Sequence, residues 1–298
     1  MSQECLNDTD DLGMLKYKGT YFINDLTSVE WLDFIDNLEI RDSDVFLVTY
    51  PKSGTIWSQQ ILSLIFNEGH LRGTESIDNI NRVPWIEYNM CNMDFDTRPS
   101  PRLFSSHLPY YLMPKDFRNH RCKTIYVYRN PKDVMLSFYH FHKILKGFKK
   151  QRSWEEFIDM FMSGKVFAGL WSDHVRGWYT NKKDLDILFI TYEEMIKDLR
   201  SSVIKISRFV DKMLNDETVD IIVEKATFQN MRHDPLANYT FLSPNNFDFN
   251  KGSFLRKGTV GDWKNMMTVA QSEKFDQMFQ DKLKVLPIKI FWDIDEVN

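Results

Sequence analysis

The sequence predicts one α/β domain in which helices flank a mainly parallel β-sheet. Three observations carry that expectation. Short apolar runs alternate with amphipathic stretches along the whole chain. No internal repeat, low-complexity tract or Pro/Gly/Ser-rich linker divides the 298 residues, so a single domain over 1–298 is expected. Apolar residues are 43% and charged residues 27%, the ordinary globular range, which excludes a disordered chain.

The clearest strands are Asp44 to Tyr50, Lys123 to Tyr128 and Leu185 to Ile190. Each is rich in β-branched or aromatic residues and ends just before a polar cluster. Helices follow them. From Thr55, the residues Trp57, Ile61, Leu64 and Ile65 share one face at helical spacing. Ser153 and Glu156 form a capping-box signature ahead of Phe157, Ile158, Phe161 and Met162. Met195, Leu199, Val203, Ile206, Phe209, Val210 and Met213 make one further long helical stripe. Residues 70–120 and 232–262, rich in Pro, Asn, Asp and Gly, read as irregular segments of the length that lids and binding loops have.

Composition narrows the function. A net charge of −4 excludes a general polyanion binder and leaves room for a small phosphorylated ligand at a local basic site. No nucleic-acid partner is expected. Nothing approaches 18 consecutive apolar residues, so no membrane span is expected. The start, Met1 to Asp11, is acidic and polar, the opposite of a secretory or transit peptide. Three cysteines, Cys5, Cys91 and Cys122, are odd in number and far apart, which suits a reducing compartment. A cytoplasmic protein is the expectation, and the sequons at Asn7 and Asn238 carry little weight there. The aromatic content, 14%, is unusual; most of it suits the core, and aromatics also line pockets for flat apolar molecules.

Three motifs carry chemistry. After the strand ending at Tyr50 comes Pro51-Lys52-Ser53-Gly54-Thr55-Ile56-Trp57 and then a helix. A strand–loop–helix unit aims unpaired backbone N–H groups and the positive end of a helix dipole at one point, where phosphate binds. The order departs from the G-x-x-x-x-G-K-[ST] pattern because the lysine precedes the only glycine. A plain turn with a solvated lysine is the bland alternative. Second, Tyr128-Arg129-Asn130-Pro131-Lys132-Asp133-Val134 follows a strand, with Ser137 one helical turn on. Arginine at a strand's carboxyl end stands where open α/β sheets bind ligands, though taken alone such a run is more often a solvated turn. Third, Arg256-Lys257-Gly258 is followed by Gly261-Asp262-Trp263-Lys264, either a second phosphate cradle or an exposed turn. Among the seven histidines, His107, alone in Ser105-Ser106-His107-Leu108-Pro109, is by itself more often a hydrogen-bonded structural residue than a catalyst. His140 and His142 point to different faces of a helix, and no ligand-spaced cluster appears, so no metal is expected.

Taken together, Tyr50–Thr55, Ser106–Pro109, Tyr128–Asp133, Ile190–Met195 and Arg256–Lys264 resemble the cytosolic sulfotransferase family, in its order and spacing and over essentially the whole chain. The resemblance is to its amine sulfotransferase branch above all. It implies the donor 3′-phosphoadenosine 5′-phosphosulfate (PAPS). Lys52, Ser53, Gly54, Thr55, Ile56 and Trp57 would hold the phosphosulfate end. Arg129, Ser137, Arg256, Lys257 and Gly258, with Leu255 beside them, would take the 3′-phosphate. Trp57, Tyr192, Thr227 and Phe228 would surround the adenine. His107 becomes the general base, Lys52 the stabiliser of the leaving oxygen, and Ser137 a partner that holds Lys52 back.

The sequence departs from the family pattern at three positions. Ile56 replaces a common threonine, Ala226 replaces a common hydroxyl residue, and Ser105 stands where phenol-preferring members often carry lysine. The last is expected to bear on acceptor choice. Tyr21, Phe22, Trp85, Tyr88, Phe141 and Phe148 are candidates for an acceptor pocket, as well explained by core packing, with Ser105 and His107 beside it. Alternative readings are a phenol, alcohol or steroid sulfotransferase, and, from other classes, a kinase or a non-catalytic adenosine bisphosphate-binding protein. A kinase would need a Walker lysine and Mg²⁺-binding acids that are not evident. Lys264, Thr268, Val269 and Glu273 match the family's K-x-x-x-T-V-x-x-x-E segment, which implies a homodimer contact. An exposed turn with Thr268 as a helix cap is the plain alternative.

Overall fold

The computed structural model describes residues 13–70, 75–89, 93–147, 152–284 and 286–297. Strands β1 (Met14–Tyr17) and β2 (Thr20–Ile23) form an antiparallel hairpin. It closes through Lys18 and Gly19, both at positive φ as a two-residue hairpin turn requires. The main sheet holds β3 (Val45–Thr49), β4 (Leu103–Ser106), β5 (Lys123–Tyr128) and β6 (Asp186–Thr191) in the order β4-β3-β5-β6, all parallel. The helices are α1 (Val29–Asp36), α2 (Thr55–Phe66), α3 (Asn79–Arg82), α4 (Pro131–Ile144), α5 (Trp154–Ser163), α6 (Trp171–Thr180), α7 (Tyr192–Lys197), α8 (Leu199–Phe209), α9 (Asp216–Lys225), α10 (Phe228–His233) and α11 (Val269–Leu283).

Strand β3 is buried at every position, as a central parallel strand covered on both faces must be. Alternation along the strands divides the core in two. Phe46, Val48, Phe104 and Tyr126 join side chains of α4, α5 and α6 on one face. Val45, Leu47, Ile125 and Val127 join α2, α8 and α9 on the other.

The expected α/β class and the three expected strands are present, their ends within one residue. The run at Phe104 is a fourth strand, and its four residues are too few to announce themselves by period alone. The capping box at Ser153 and Glu156 forms with both of its hydrogen bonds. The long stripe from Met195 to Met213 is corrected: it is two helices, because Asp198 turns the chain and caps α8 by accepting from the Ser201 N–H. Met213 lies beyond that helix and is 84% exposed. Residues 232–262 are mostly irregular, as expected, and fold over the carboxyl end of the sheet.

Among the described residues, Cys122 is a free buried thiol, whereas Cys5 and Cys91 lie outside them. Among the same residues no group of metal-ligating side chains assembles, and no helix is long and apolar enough to cross a membrane.

Candidate active site

A single cavity at the carboxyl edge of the sheet takes residues from β3–α2, β4, β5–α4, α7, α10 and the 239–259 segment. Its first wall is the Pro51–Gly54 loop. Lys52 holds φ +70°, a left-handed conformation uncommon for a residue with a side chain. Gly54 follows at φ +99° as N-cap of α2, where a Cβ would come within 2.7 Å of the Tyr192 ring. The close approach, as much as the dihedral, therefore excludes other residues. No side chain caps α2, so the N–H groups of its first turn remain available to an anion. The Ser53 hydroxyl is buried without a partner, and the Thr55 hydroxyl lies 2.6 Å from that of Thr49.

The second wall is cationic. Buried Arg129 donates to the carbonyls of Lys52 (3.3 Å) and Thr259 (2.9 Å), with its guanidinium 4.2 Å above the Tyr192 ring. Arg256 donates to Asp262 at 2.5 Å, and Lys257 to the same carboxylate at 2.6 Å. The Nε atoms of both arginines are buried and have no partner. Leu255, Gly258 and Ser137 also line this end. Gly258 has φ +69°, and a Cβ there would collide with the Phe228 ring. Trp57, held by an indole N–H bond to the Ala226 carbonyl (2.7 Å), meets Tyr192 edge-on at 5.5 Å, and with Phe228 makes a flat aromatic slot.

Lys52 lies between the two ends. Its Nζ sits 4.3 Å from the Phe141 ring centre and 5.5 Å from that of Phe254. Burial, helped by the charges of Arg129 and Arg256, lowers its pKa to about 7. Ser137 lines the same cavity, but no hydrogen bond joins it to Lys52 among the described residues.

His107 stands just past β4. Its Nδ1 is 2.8 Å from the Thr49 carbonyl. A carbonyl only accepts, so Nδ1 carries the proton and Nε2 keeps its lone pair. Burial lowers the His107 pKa to about 3; the Thr49 bond opposes this, while His174 and Lys52 add to it. The residue is gripped through its backbone as well. Its N–H donates to Glu87 at 2.6 Å, and its carbonyl faces His174 Nε2 at 3.1 Å. Trp85 covers the imidazole, ring centres 4.4 Å apart. Trp85 is fixed by donating to the Tyr239 hydroxyl (3.0 Å), which donates to Gln59 (2.7 Å).

Beyond His107 the cavity is apolar, walled by Trp85, Tyr88, Phe141, Phe167, Phe247 and Leu242. No carboxylate appears among its described lining residues.

Most of the expected residues meet here, and five described ones do not. Ser53 belongs to the loop, but its side chain is fully buried behind it and does not line the cavity. Tyr21 and Phe22 stay outside the lining, because β2 turns Phe22 into the core and the chain reaches the cavity only at Ile23 and Leu26. Ser105 is fully buried on the α2 face of the sheet, paired in register with Leu47 and bonded to the Val83 carbonyl (3.3 Å). A lysine there would sit in the core, so the specificity role drawn from Ser105 fails. Thr227 caps α10 and thereby presents Phe228, without facing the cavity itself. Phe148 lies outside the described residues.

Sequence reading missed Thr49, Glu87, His174 and Tyr239. Glu87 carried a signal, a lone carboxylate inside the apolar run Trp85-Ile86-Glu87-Tyr88. Burial raises its pKa to about 7, partly offset by the His107 N–H. Tyr239 had none, since its role depends on residues 180 positions away.

A strand–loop–helix turn with free N–H groups, converging arginines and a neutral imidazole meet at one sheet edge. Residues 42–287 match the sulfotransferase domain, and the chain belongs to the sulfotransferase family. It is 53% identical over 288 residues to the amine sulfotransferase of Oryctolagus cuniculus, covering 96% of each chain. It is 42% identical over 259 residues to human sulfotransferase 2A1, covering 87% of this chain and 90% of that one. Its fold is similar to that of a mouse sulfotransferase solved in complex with PAP, with TM-score 0.75 and 30% identity over 92% of this chain and 96% of that one.

Proposed function

We propose that the protein, working as a single domain, moves a sulfuryl group from PAPS to the nitrogen of an uncharged amine. The observation that carries the reading is the junction of two unlike half-sites, one cationic and aromatic, one apolar, with Lys52 and His107 where they meet. The cationic half suits a nucleotide with phosphates at two positions. The α2 N-terminus would take one end, and the orphaned Nε atoms of Arg129 and Arg256 the other. PAPS supplies an activated sulfuryl group bonded to a phosphate oxygen. His107 Nε2 accepts the proton that the amine nitrogen sheds as its lone pair forms the N–S bond. Lys52 stabilises charge on the departing oxygen.

The lining also selects the acceptor's charge. A permanent ammonium beside Lys52, with no carboxylate lining the apolar half, is disfavoured by desolvation and like-charge repulsion. Arylamines and cyclic amines bound as free bases suit it, and the 53% identity to an amine sulfotransferase supports the same class. Two measurements test this. Adenosine 3′,5′-bisphosphate should raise the melting temperature while ATP does not. With labelled donor, arylamines should exceed simple phenols in kcat/KM. Phenols ahead by about tenfold or more would end the amine reading and leave family membership untouched.

We further propose a homodimer through the start of α11. Val269 is 75% exposed and Met266 40%, an apolar edge that neighbouring side chains leave open to solvent. Thr268 caps the helix, so its backbone direction is fixed. Lys264 pairs within the chain with Asp293, which leaves Val269 as the main contact and Glu273 exposed at its rim. Val269→Glu should give a monomer by light scattering with most activity kept. A dimer that persists places the interface elsewhere.

A further inference from the structure

Two carboxylates inside the phosphate motifs have no part in the chemistry above. Asp133, in the first turn of α4, is buried, and its two oxygens accept the backbone N–H groups of Gly261 (2.7 Å) and Trp263 (3.0 Å). Asp262 stands between those anchored residues. Its carboxylate accepts from Arg256 Nη2 at 2.5 Å, Lys257 Nζ at 2.6 Å and Asn265 Nδ2 at 3.0 Å. Burial works against its charge, yet Lys257 and Arg256 outweigh burial and hold its pKa well below the carboxylate range. One anion thus grips the outer nitrogens of two neighbouring cations. The Nε of Arg256 remains buried and unpartnered, as does that of Arg129, and both arginines line the cavity.

We infer that Asp262 is a positioning residue: it holds Arg256 and Lys257 from outside, so that the Nε edge of Arg256 is presented to a phosphate on the 3′ position of the nucleotide. The inference rests on the donor reading above. A guanidinium already held at Nη2 loses less rotamer freedom when a phosphate takes its Nε. Asp133, fixed on α4, makes the loop that carries Asp262 a rigid support. Discrimination between a 3′-phosphorylated nucleotide and its unphosphorylated counterpart therefore depends on a carboxylate, a group that repels phosphate. The opposite arrangement, a carboxylate that occupies the phosphate's place and must be displaced, predicts the opposite sign.

The test is calorimetric titration of the full chain with adenosine 3′,5′-bisphosphate and adenosine 5′-phosphate. Unaltered protein should prefer the bisphosphate strongly; an absent preference would overturn the donor reading itself. Asp262→Asn should cut that preference by about tenfold or more, chiefly through the bisphosphate. Asp262→Glu, which restores the charge, should recover most of it. A preserved ratio in Asp262→Asn, or a tighter bisphosphate, overturns the positioning role while leaving the donor reading in place. Should Asp262→Asn not fold, Lys257→Met removes one of the two gripped cations. It should lower the same ratio only about two- to threefold, because Arg256 remains held. A larger loss would make Lys257, and not the Asp262–Arg256 grip, the determinant.

Discussion

His107→Ala should lower kcat by at least about a hundredfold, the scale of losing a positioned general base, while the dissociation constant of adenosine 3′,5′-bisphosphate stays nearly unchanged. The structure explains why the two quantities separate. The imidazole stands at the apolar half of the cavity, covered by Trp85, while the cations that suit the nucleotide come from other segments. The Glu87 and His174 contacts act on the backbone of residue 107, so they survive truncation of its side chain. What is lost is one imidazole whose tautomer is already set by the Thr49 carbonyl. Single-turnover kinetics with saturating donor would check it, since product release then drops out. Turnover within about threefold of the unaltered protein would remove His107 from the proposed chemistry.

The parts of this site differ in how far sequence alone exposes them, and the reason is physical. The Lys52–Trp57 loop is legible because its chemistry is local: strand, glycine and helix start are consecutive, and a phosphate cradle needs them so. Arg129 and the Arg256–Gly258 turn are half legible. Their residue types suit phosphate, but their meeting depends on β5 lying beside β3 and on a segment 130 positions away returning to the Arg129 side chain. The acceptor half is scarcely legible. Phe22 and Phe141 are both buried aromatic residues, yet one faces the core alone and the other also lines the cavity. Ser105 makes the same point through register. Ser105 lies in β4 on the Leu47 side, but the strand ends at Ser106, so His107 no longer follows its alternation and a residue two before it does not share its surroundings.

Lys52→Ala should lower kcat by about a hundredfold or more, and it should also abolish a pH dependence that belongs to this lysine. In the free protein the lysine's pKa is about 7, depressed by burial first and by Arg129 and Arg256 second. A bound phosphosulfate or phosphate offsets those charges and returns the ammonium toward its ordinary range. The sign follows. Below pH 7 Lys52 is already protonated and contributes no slope. Above it, binding must take up a proton, so nucleotide affinity should fall by up to about tenfold per pH unit between pH 7.5 and 9. The phosphate's own second ionisation lies near pH 6, outside that window. Glu193 and Glu87, both raised to about 7 by burial and holding the Asn130 and His107 N–H groups, are the competing sources of a slope. Lys52→Arg separates the lysine from the carboxylates, because arginine keeps its charge throughout the window while Glu193 and Glu87 are untouched. Calorimetry in buffers of different ionisation enthalpy should show proton uptake near one at pH 8.5 in the unaltered protein and near zero in both variants. Uptake that persists in Lys52→Arg would assign the proton to a buried carboxylate, Glu193 or Glu87, and leave Lys52 charged before the nucleotide arrives.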